Sequence, residues 1–526
     1  MTRLITVLFV FGLFIFEEVA SAPYIRMGLD THPFVKIICP NCEPGIRMSN
    51  WGGNFQFSTP NIQYPRTVEE VQKVVKAAKG RIRCLGMRHS FSTVADCTDT
   101  IISTLHLNNI LGLDPSIPSV TVEAGIAYTD LCPFLESVGF ALPNLATLAE
   151  ISVGGASSTG AHGSGVFNGN LATQIRSLKI VLANGTLATI GPNDPQLKAI
   201  ALGLGVFGVI VHIELNIEPT FKMKNHVFLN MSNEDVYNHF DEIENMGYTS
   251  QFFTDFSSLT HWNQVWVNVK TTNDTVGAQP NLFGAPRAPA QVTPIAALPV
   301  TYIMEQNKEL PWYEALVDYR LGLSGFDGAE IQCEWIMPYE NAVPAIKAVS
   351  KFGAEIRPIV YTMLIRTIAG DDLWMSAMYK ERSVAVHFTF QPNMTAVLNL
   401  IPKIEKALKP FKARPHFGKV FTMKAEEYLQ YYPKLKDFKK LADKLDPQGK
   451  FRNAFIEKNV FVGDSLWDNL PSSPIDTPNP WDWLFDLINK NNKKKKLADK
   501  LDPQGKFRNA FIDKNVFVDN NPPWWG

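Results

Sequence analysis

The sequence predicts an α+β protein of two substantial domains, and three observations carry that prediction. With 526 residues, 45% of them apolar, the chain can fill the cores of two or three domains of ordinary size. Between residues 100 and 220, short β-branched runs alternate irregularly with helical segments, unlike the strict strand–helix succession of a doubly wound sheet. A stretch rich in Pro, Ala and Asn at 272–300 reads as a long loop, and a second mixed set of helices and strands follows it.

Taken in order, the first strong element is a helix over 66–79, where Val68, Val71, Val74, Val75 and Ala78 share one face and Thr67 serves as N-cap. A short strand then leads into Gly86. Strands are expected at Ile101–Leu105, Val120–Glu123, Ser177–Leu182 and Val209–Leu215, with a helix at Tyr128–Val138. Beyond the loop come helices at Glu340–Phe352 and Leu398–Pro410 and strands at Ile359–Ile368 and Ser383–Phe390, with a cleft expected where the two domains meet.

The two ends carry different information. Arg3, the 13-residue apolar run Leu4–Phe16 and the small-residue site Ala20-Ser21-Ala22 read as a signal peptide over 1–22, with Pro23 moving the cut by a residue or two. The apolar run is too short to span a bilayer, so the expectation is a protein secreted or delivered to the endomembrane lumen, without stable membrane insertion after cleavage. An uncleaved anchor is the competing reading. In such a compartment Cys39 and Cys42 are expected to form a local disulfide, Cys84 reads as a buried small hydrophobe, and Asn184, Asn230, Asn273 and Asn393 head glycosylation sequons. Near the C-terminus, residues 439–462 recur at 495–518 with one change, Glu457 to Asp513. Two copies are too few for a solenoid, so a duplication joined by a linker is the simpler account. Fifty basic against 51 acidic residues leave a net charge of −1, which excludes nucleic acid as a partner attracted by the overall field.

Two motifs bear chemistry. In Leu85-Gly86-Met87-Arg88-His89-Ser90-Phe91-Ser92, a glycine and small hydroxyl residues let backbone N–H groups approach a pyrophosphate, and Arg88 adds charge. Alone, the histidine of such a loop is more simply a hydrogen-bonded structural residue. The second motif, residues 151–165, holds five glycines and four serines and presents polar backbone between apolar flanks. It is neither a Walker A loop nor a GxGxxG fingerprint.

Those two stretches, together with Asn50-Trp51-Gly52-Gly53-Asn54, Ala141-Leu142-Pro143-Asn144-Leu145-Ala146 and Arg414-Pro415-His416-Phe417-Gly418-Lys419, resemble in this order segments of the alditol oxidases, a branch of the vanillyl-alcohol-oxidase-type FAD flavoproteins. Ile365-Arg366-Thr367, the Asp371–Ser376 segment and Val386-His387-Phe388-Thr389-Phe390 favour this branch over the related sugar-1,4-lactone oxidases, which share the Arg-Pro-His-x-x-Lys pattern. The resemblance covers about residues 48–462 and implies a FAD-binding domain at 48–220, a substrate domain at 221–413, and a segment at 414–462 that returns to the first. The linker and second copy fill 463–526. It implies a small polyol substrate and dioxygen as partners, with oxidation of a terminal hydroxyl to the aldose and release of hydrogen peroxide.

Residue by residue, the resemblance puts Gly86, Met87, Arg88, His89, Ser90, Phe91, Ser152, Gly155, Ala156, Ser157, Ser158, Gly163 and His416 around FAD. His89 is the position of covalent flavin attachment, and Ala146 is the small residue that admits dioxygen. Arg366, Lys419 and His387 match the catalytic positions, and Thr147, Leu364 and Thr389 join Arg366 and Lys419 at the substrate. Leu364 departs from the family's Glu-x-Arg, which removes a carboxylate, and Glu330 or Glu334 is expected to compensate. The competing functions are a sugar-1,4-lactone oxidase and a flavin-binding protein without activity.

Overall fold

The computed structural model describes residues 48–462 apart from 278 and 324–327. The expected signal peptide, the Cys39–Cys42 pair, the linker and the second copy of the repeat lie outside the described residues. Among the described residues no helix is long and apolar enough to cross a membrane, and Cys84, Cys97, Cys132 and Cys333 are free thiols.

The N-terminal half is built on two small sheets. Ile62–Gln63, Thr100–Ser103 and Ile82–Leu85 form a parallel sheet in that order. Ile110–Asp114, Ser119–Glu123, Val209–Asn216, Ile175–Val181 and Leu187–Ile190 form an antiparallel one. The helix Val68–Ala77 is capped by Thr67, whose side chain accepts from the Glu70 N–H, and it buries Val71 and Val75 against Ile82, Ile102, Val181, Val209 and Phe451. That core holds both sheets together. The burial follows from the helical spacing of the valines, each worth roughly 1.5–3 kcal/mol when removed from water.

The second half is an eight-stranded sheet in the order Leu310–Pro311, Lys222–Ser232, His261–Lys270, Thr249–Thr254, Val360–Ile368, Ser383–Phe390, Ile331–Pro338, Arg414–Pro415, antiparallel at every pairing. Helices Asn233–Glu244, Ala342–Ser350 and Met394–Leu408 bury apolar stripes of their own. Since side chains alternate along a strand, its two faces carry different sets. Thr367 bonds Glu244 of one helix and Trp335 bonds Glu405 of another, whereas Leu364, Arg366, His387 and Glu334 line a cavity.

The expected Leu398–Pro410 helix begins earlier, at Met394, because the Asn393 side chain accepts from the Ala396 N–H and supplies the cap. The stretch 151–165 includes one helix, Val153–Thr159, ended by Gly160 in the left-handed region at φ 72°. The long loop at 272–300 contributes Pro294 and Ile295 to the cavity wall.

Long-range hydrogen bonds, several of them from the C-terminal segment, knit the fold together. Phe91 N–H donates to Gly418 C=O at 2.7 Å, and Gly165 N–H to Thr367 C=O at 2.8 Å. Ile82 N–H donates to Lys450 C=O at 2.7 Å, Arg83 donates to Phe451 C=O, and Asn453 donates to the carbonyls of Thr93, Val94 and Asp96.

Candidate active site

The loop that carries His89 is braced by the Asn-Trp-Gly-Gly-Asn segment. Asn50 donates to Ser90 C=O at 3.0 Å, Asn54 donates to Phe91 C=O at 2.9 Å, and the Trp51 indole stacks on the imidazole with 4.7 Å between ring centroids. Arg88 adopts φ 67°, a left-handed conformation that turns the loop. Burial, with Lys419 and Arg88 adding to it, pushes the His89 pKa down to about 3, so its ring is neutral.

Opposite the loop stands the 151–158 segment. Ser152 Oγ is buried without a hydrogen-bond partner and is aimed at the space between Gly86 and Gly155. A Cβ on Gly86 would collide with that hydroxyl, and one on Gly155 would lie 2.8 Å from it. A glycine-lined cradle with a waiting donor fits the backbone-hugging pyrophosphate of a dinucleotide.

The substrate side is built by registry. Leu364 lies opposite His387, which lies opposite Glu334, and the parallel row is Thr362, Thr389, Gln332. Both rows line the same cavity as the His89 loop. Arg366 donates to Glu334 Oε1 at 2.8 Å and to Thr147 Oγ1 at 3.0 Å. His162 Nε2 lies 3.2 Å from the same carboxylate oxygen, and His387 Nδ1 lies 3.4 Å from Oε2. The surrounding His162, Arg366 and His387 hold Glu334 well below the usual carboxylate range against the opposing effect of its burial. His387 is pushed down to about 4 by burial, with Lys419 and Arg366 contributing. Burial also lowers Lys419, whose ammonium donates to Gln332 Oε1 and sits 5.3 Å from the Phe91 ring centre. His416, brought down to about 3 by burial, accepts from the Gly418 N–H at 3.0 Å through Nδ1.

Gly86, Met87, Arg88, His89, Ser90, Phe91, Ala146, Thr147, Ser152, Gly155, Ala156, Ser158, Leu364, Arg366, His387, Thr389, His416 and Lys419 therefore line one cavity. Ser157 and Gly163 stand outside its wall. Ser157 turns its hydroxyl back to Val153 C=O at 2.8 Å, as a mid-helix serine does, and Gly163 packs against the Asn144–Leu145 turn with no room for a side chain. Glu330 is also outside, bonded to Gln332, whereas Glu334 meets Arg366 directly. The Asp371–Ser376 segment is a joint between the two halves: Asp371 accepts from Asn170 and Ser376, and Trp374 N–H donates to Lys198 C=O. Trp51, Asp318 and Tyr319 line the cavity without having been singled out as site residues in the sequence. His162, Glu334 and His416 also lie close enough to share a metal ion, but the Arg366 guanidinium already bonds that carboxylate.

The chain matches a family model described as an FAD binding domain over residues 60–191 and one described as D-arabinono-1,4-lactone oxidase over 329–459. An alditol oxidase of Streptomyces sp. is 34% identical over 414 residues, 78% of this chain and 98% of that protein. An L-gulonolactone oxidase of Bos taurus is 27% identical over 445 residues, 79% of this chain and 98% of its own length. Among solved structures, a solvent-stable cholesterol oxidase superposes with a TM-score of 0.63 at 16% identity over 78% of this chain and 96% of that one, a likeness of fold.

Proposed function

The chain belongs to the FAD-dependent alditol and sugar-1,4-lactone oxidases, within the vanillyl-alcohol-oxidase-type flavoproteins, and from that membership we propose that it oxidises a sugar alcohol at a terminal hydroxyl with dioxygen as acceptor. The observation that carries this reading is the convergence of Arg366, Lys419 and His387 in one cavity with the glycine-lined cradle. FAD binds in that cradle, and when bound it supplies the hydride acceptor and the route of electrons to dioxygen.

The protein's part is to take the hydroxyl proton and to hold the negative charge that develops on the oxygen. The Arg366 guanidinium and the Lys419 ammonium supply the balancing positive charge in a site screened from water, where electrostatic stabilisation is strongest. His387 is neutral above about pH 4, and the ionised Glu334 on its Nδ1 side favours a hydrogen there, which leaves Nε2 as the acceptor. Thr389 Oγ1, 3.2 Å from Nε2, marks the cavity-facing edge of the ring. Thr147, held by Arg366, offers a further hydroxyl. We assign His89 as the residue that anchors the flavin covalently: its unprotonated ring nitrogen is the nucleophile such a bond needs. Ala146 leaves room for dioxygen. The N-terminal Arg3, apolar run and Ala-Ser-Ala site support a secreted or endomembrane address.

Anaerobic mixing of the purified flavoprotein with hexitols, xylitol and L-gulonolactone tests the reading, with flavin bleaching followed before air is admitted and peroxide assayed. Bleaching by an alditol with peroxide on reoxidation establishes it. The match of 329–459 to the lactone oxidase model favours the second reading, and bleaching by the lactone alone would install that one instead. No bleaching by any of them would leave a flavin-binding protein without this activity.

A further inference from the structure

A polyol presents more hydroxyls than the one that reacts, and each needs a partner once it leaves water. Among the described residues, two carboxylates line the cavity, Glu334 and Asp318. Glu334 is already engaged by the groups around it: Arg366 donates to Oε1 at 2.8 Å, His162 Nε2 lies 3.2 Å from the same oxygen, and His387 Nδ1 lies 3.4 Å from Oε2. Leu364, one place along the same strand face from Arg366, offers no acceptor.

Asp318 is placed differently. It comes from the irregular segment after the short helix Trp312–Ala315, not from the sheet, and is only 4% exposed. Its backbone N–H donates to Thr147 C=O at 2.9 Å, and its Oδ1 accepts from Gln251 Nε2 at 3.0 Å. The Thr147 hydroxyl accepts from Arg366 at 3.0 Å, and Gln251 stands opposite Arg366 in the sheet. Arg366 and Asp318 thus both hold Thr147, one at its hydroxyl and the other at its carbonyl. An ionised carboxylate has about four acceptor positions, so the bond from Gln251 leaves others for groups in the cavity.

Resting on the polyol-oxidase reading above, we propose that Asp318 is the specificity-determining residue that accepts hydrogen bonds from the substrate's non-reacting hydroxyls. Recognition of those hydroxyls is then delivered by the 312–320 segment, while the reacting hydroxyl belongs to the sheet. This assigns a role to an acid that the chemistry at Arg366, His387 and Lys419 does not use.

The test pairs variants with substrates. Anaerobic flavin-bleaching titrations of the wild type, Asp318→Asn and Asp318→Glu use the best alditol and its analogues lacking one non-terminal hydroxyl at a time. In the wild type, one deoxy analogue is expected to bind about 10- to 100-fold more weakly than the parent, the scale of a hydrogen bond to a charged acceptor. In Asp318→Asn the parent is expected to weaken to that level and the penalty to shrink to near unity, with the limiting bleaching rate changed less than the affinity. Asp318→Glu keeps the charge and is expected to move the penalty to another hydroxyl. An undiminished penalty in Asp318→Asn overturns this inference while leaving the alditol reading intact. Loss of bound flavin in both variants overturns it in favour of a structural role. A wild type that no alditol bleaches overturns the functional reading and this inference with it.

Discussion

At the scale of single residues, the site is a buried charge cluster in which each member sets the state of its neighbours. A lone buried ion costs several kcal/mol, so Glu334 at 1% exposure persists only because Arg366, His162 and His387 surround it. His387 pays the opposite penalty: burial keeps it neutral down to about pH 4. A base that must be neutral works above its pKa, so the rate of flavin bleaching is expected to fall as pH drops through about 4. In His387→Gln the limiting rate should drop by roughly 10²- to 10⁴-fold, the usual contribution of a positioned base, and the acid limb should vanish. Stopped-flow bleaching across pH checks both. Arg366, His387 and Lys419 were legible as candidates only through the resemblance of their motifs to a family. Glu334 was legible only as one of two candidates, because cross-strand registry and not sequence distance puts it on Arg366.

At the scale of elements, the strand Val360–Ile368 works on both faces. Leu364 and Arg366 line the cavity, while Thr367 on the other face bonds Glu244 of the helix Asn233–Glu244 at 2.6 Å. Burial lifts the Glu244 pKa to about 8, far above its unfolded value, so the folded protein holds a proton that the unfolded chain releases. The stability contributed by this neutral acid is full at pH below the unfolded value and is lost as pH rises through about 8. Glu244→Gln keeps a hydrogen-bonding side chain without the charge. It is expected to raise Tm at pH 8.5 by a few degrees, on the order of 1–2 kcal/mol, and to change it little at pH 5. Thermal unfolding at the two pH values decides. Strands were legible where β-branched runs stood between turns, as at Ser383–Phe390, whose bounds match the expectation. Ile331–Pro338 was not, because its alternation lasts only from Ile331 to Trp335 before the apolar run Ile336-Met337-Pro338, too short a pattern to mark a strand.

At the scale of the whole molecule, the segment 439–462 closes the fold. Phe451 is fully buried in the core beneath the helix Val68–Ala77, and Lys450 reaches the carbonyls of Val75 and Ala183. A chain ending at Val462 is therefore expected to keep the flavin and to unfold within about 1–2 °C of the full chain, since it keeps all the docking contacts found among the described residues. A chain ending at Phe438 should lose solubility or flavin, having left a core cavity and several carbonyls unpaired, a loss of about 3–5 kcal/mol from the phenylalanine alone. Flavin absorbance and thermal unfolding of the two truncations check this. By itself, the sequence determined the α+β class and the helix that the spaced valines build, because those rest on local periodicity, while its motifs, through their resemblance to a family, pointed to the flavin loop and to candidate reacting groups. Only the tertiary structure decided that Glu334 meets Arg366, that Ser157 and Gly163 face away from the cavity, that the Asp371–Ser376 segment is a joint, and that Asp318 enters from a distant segment. Those are matters of registry and long-range packing, set by the free energy of the whole fold and by no window of the chain.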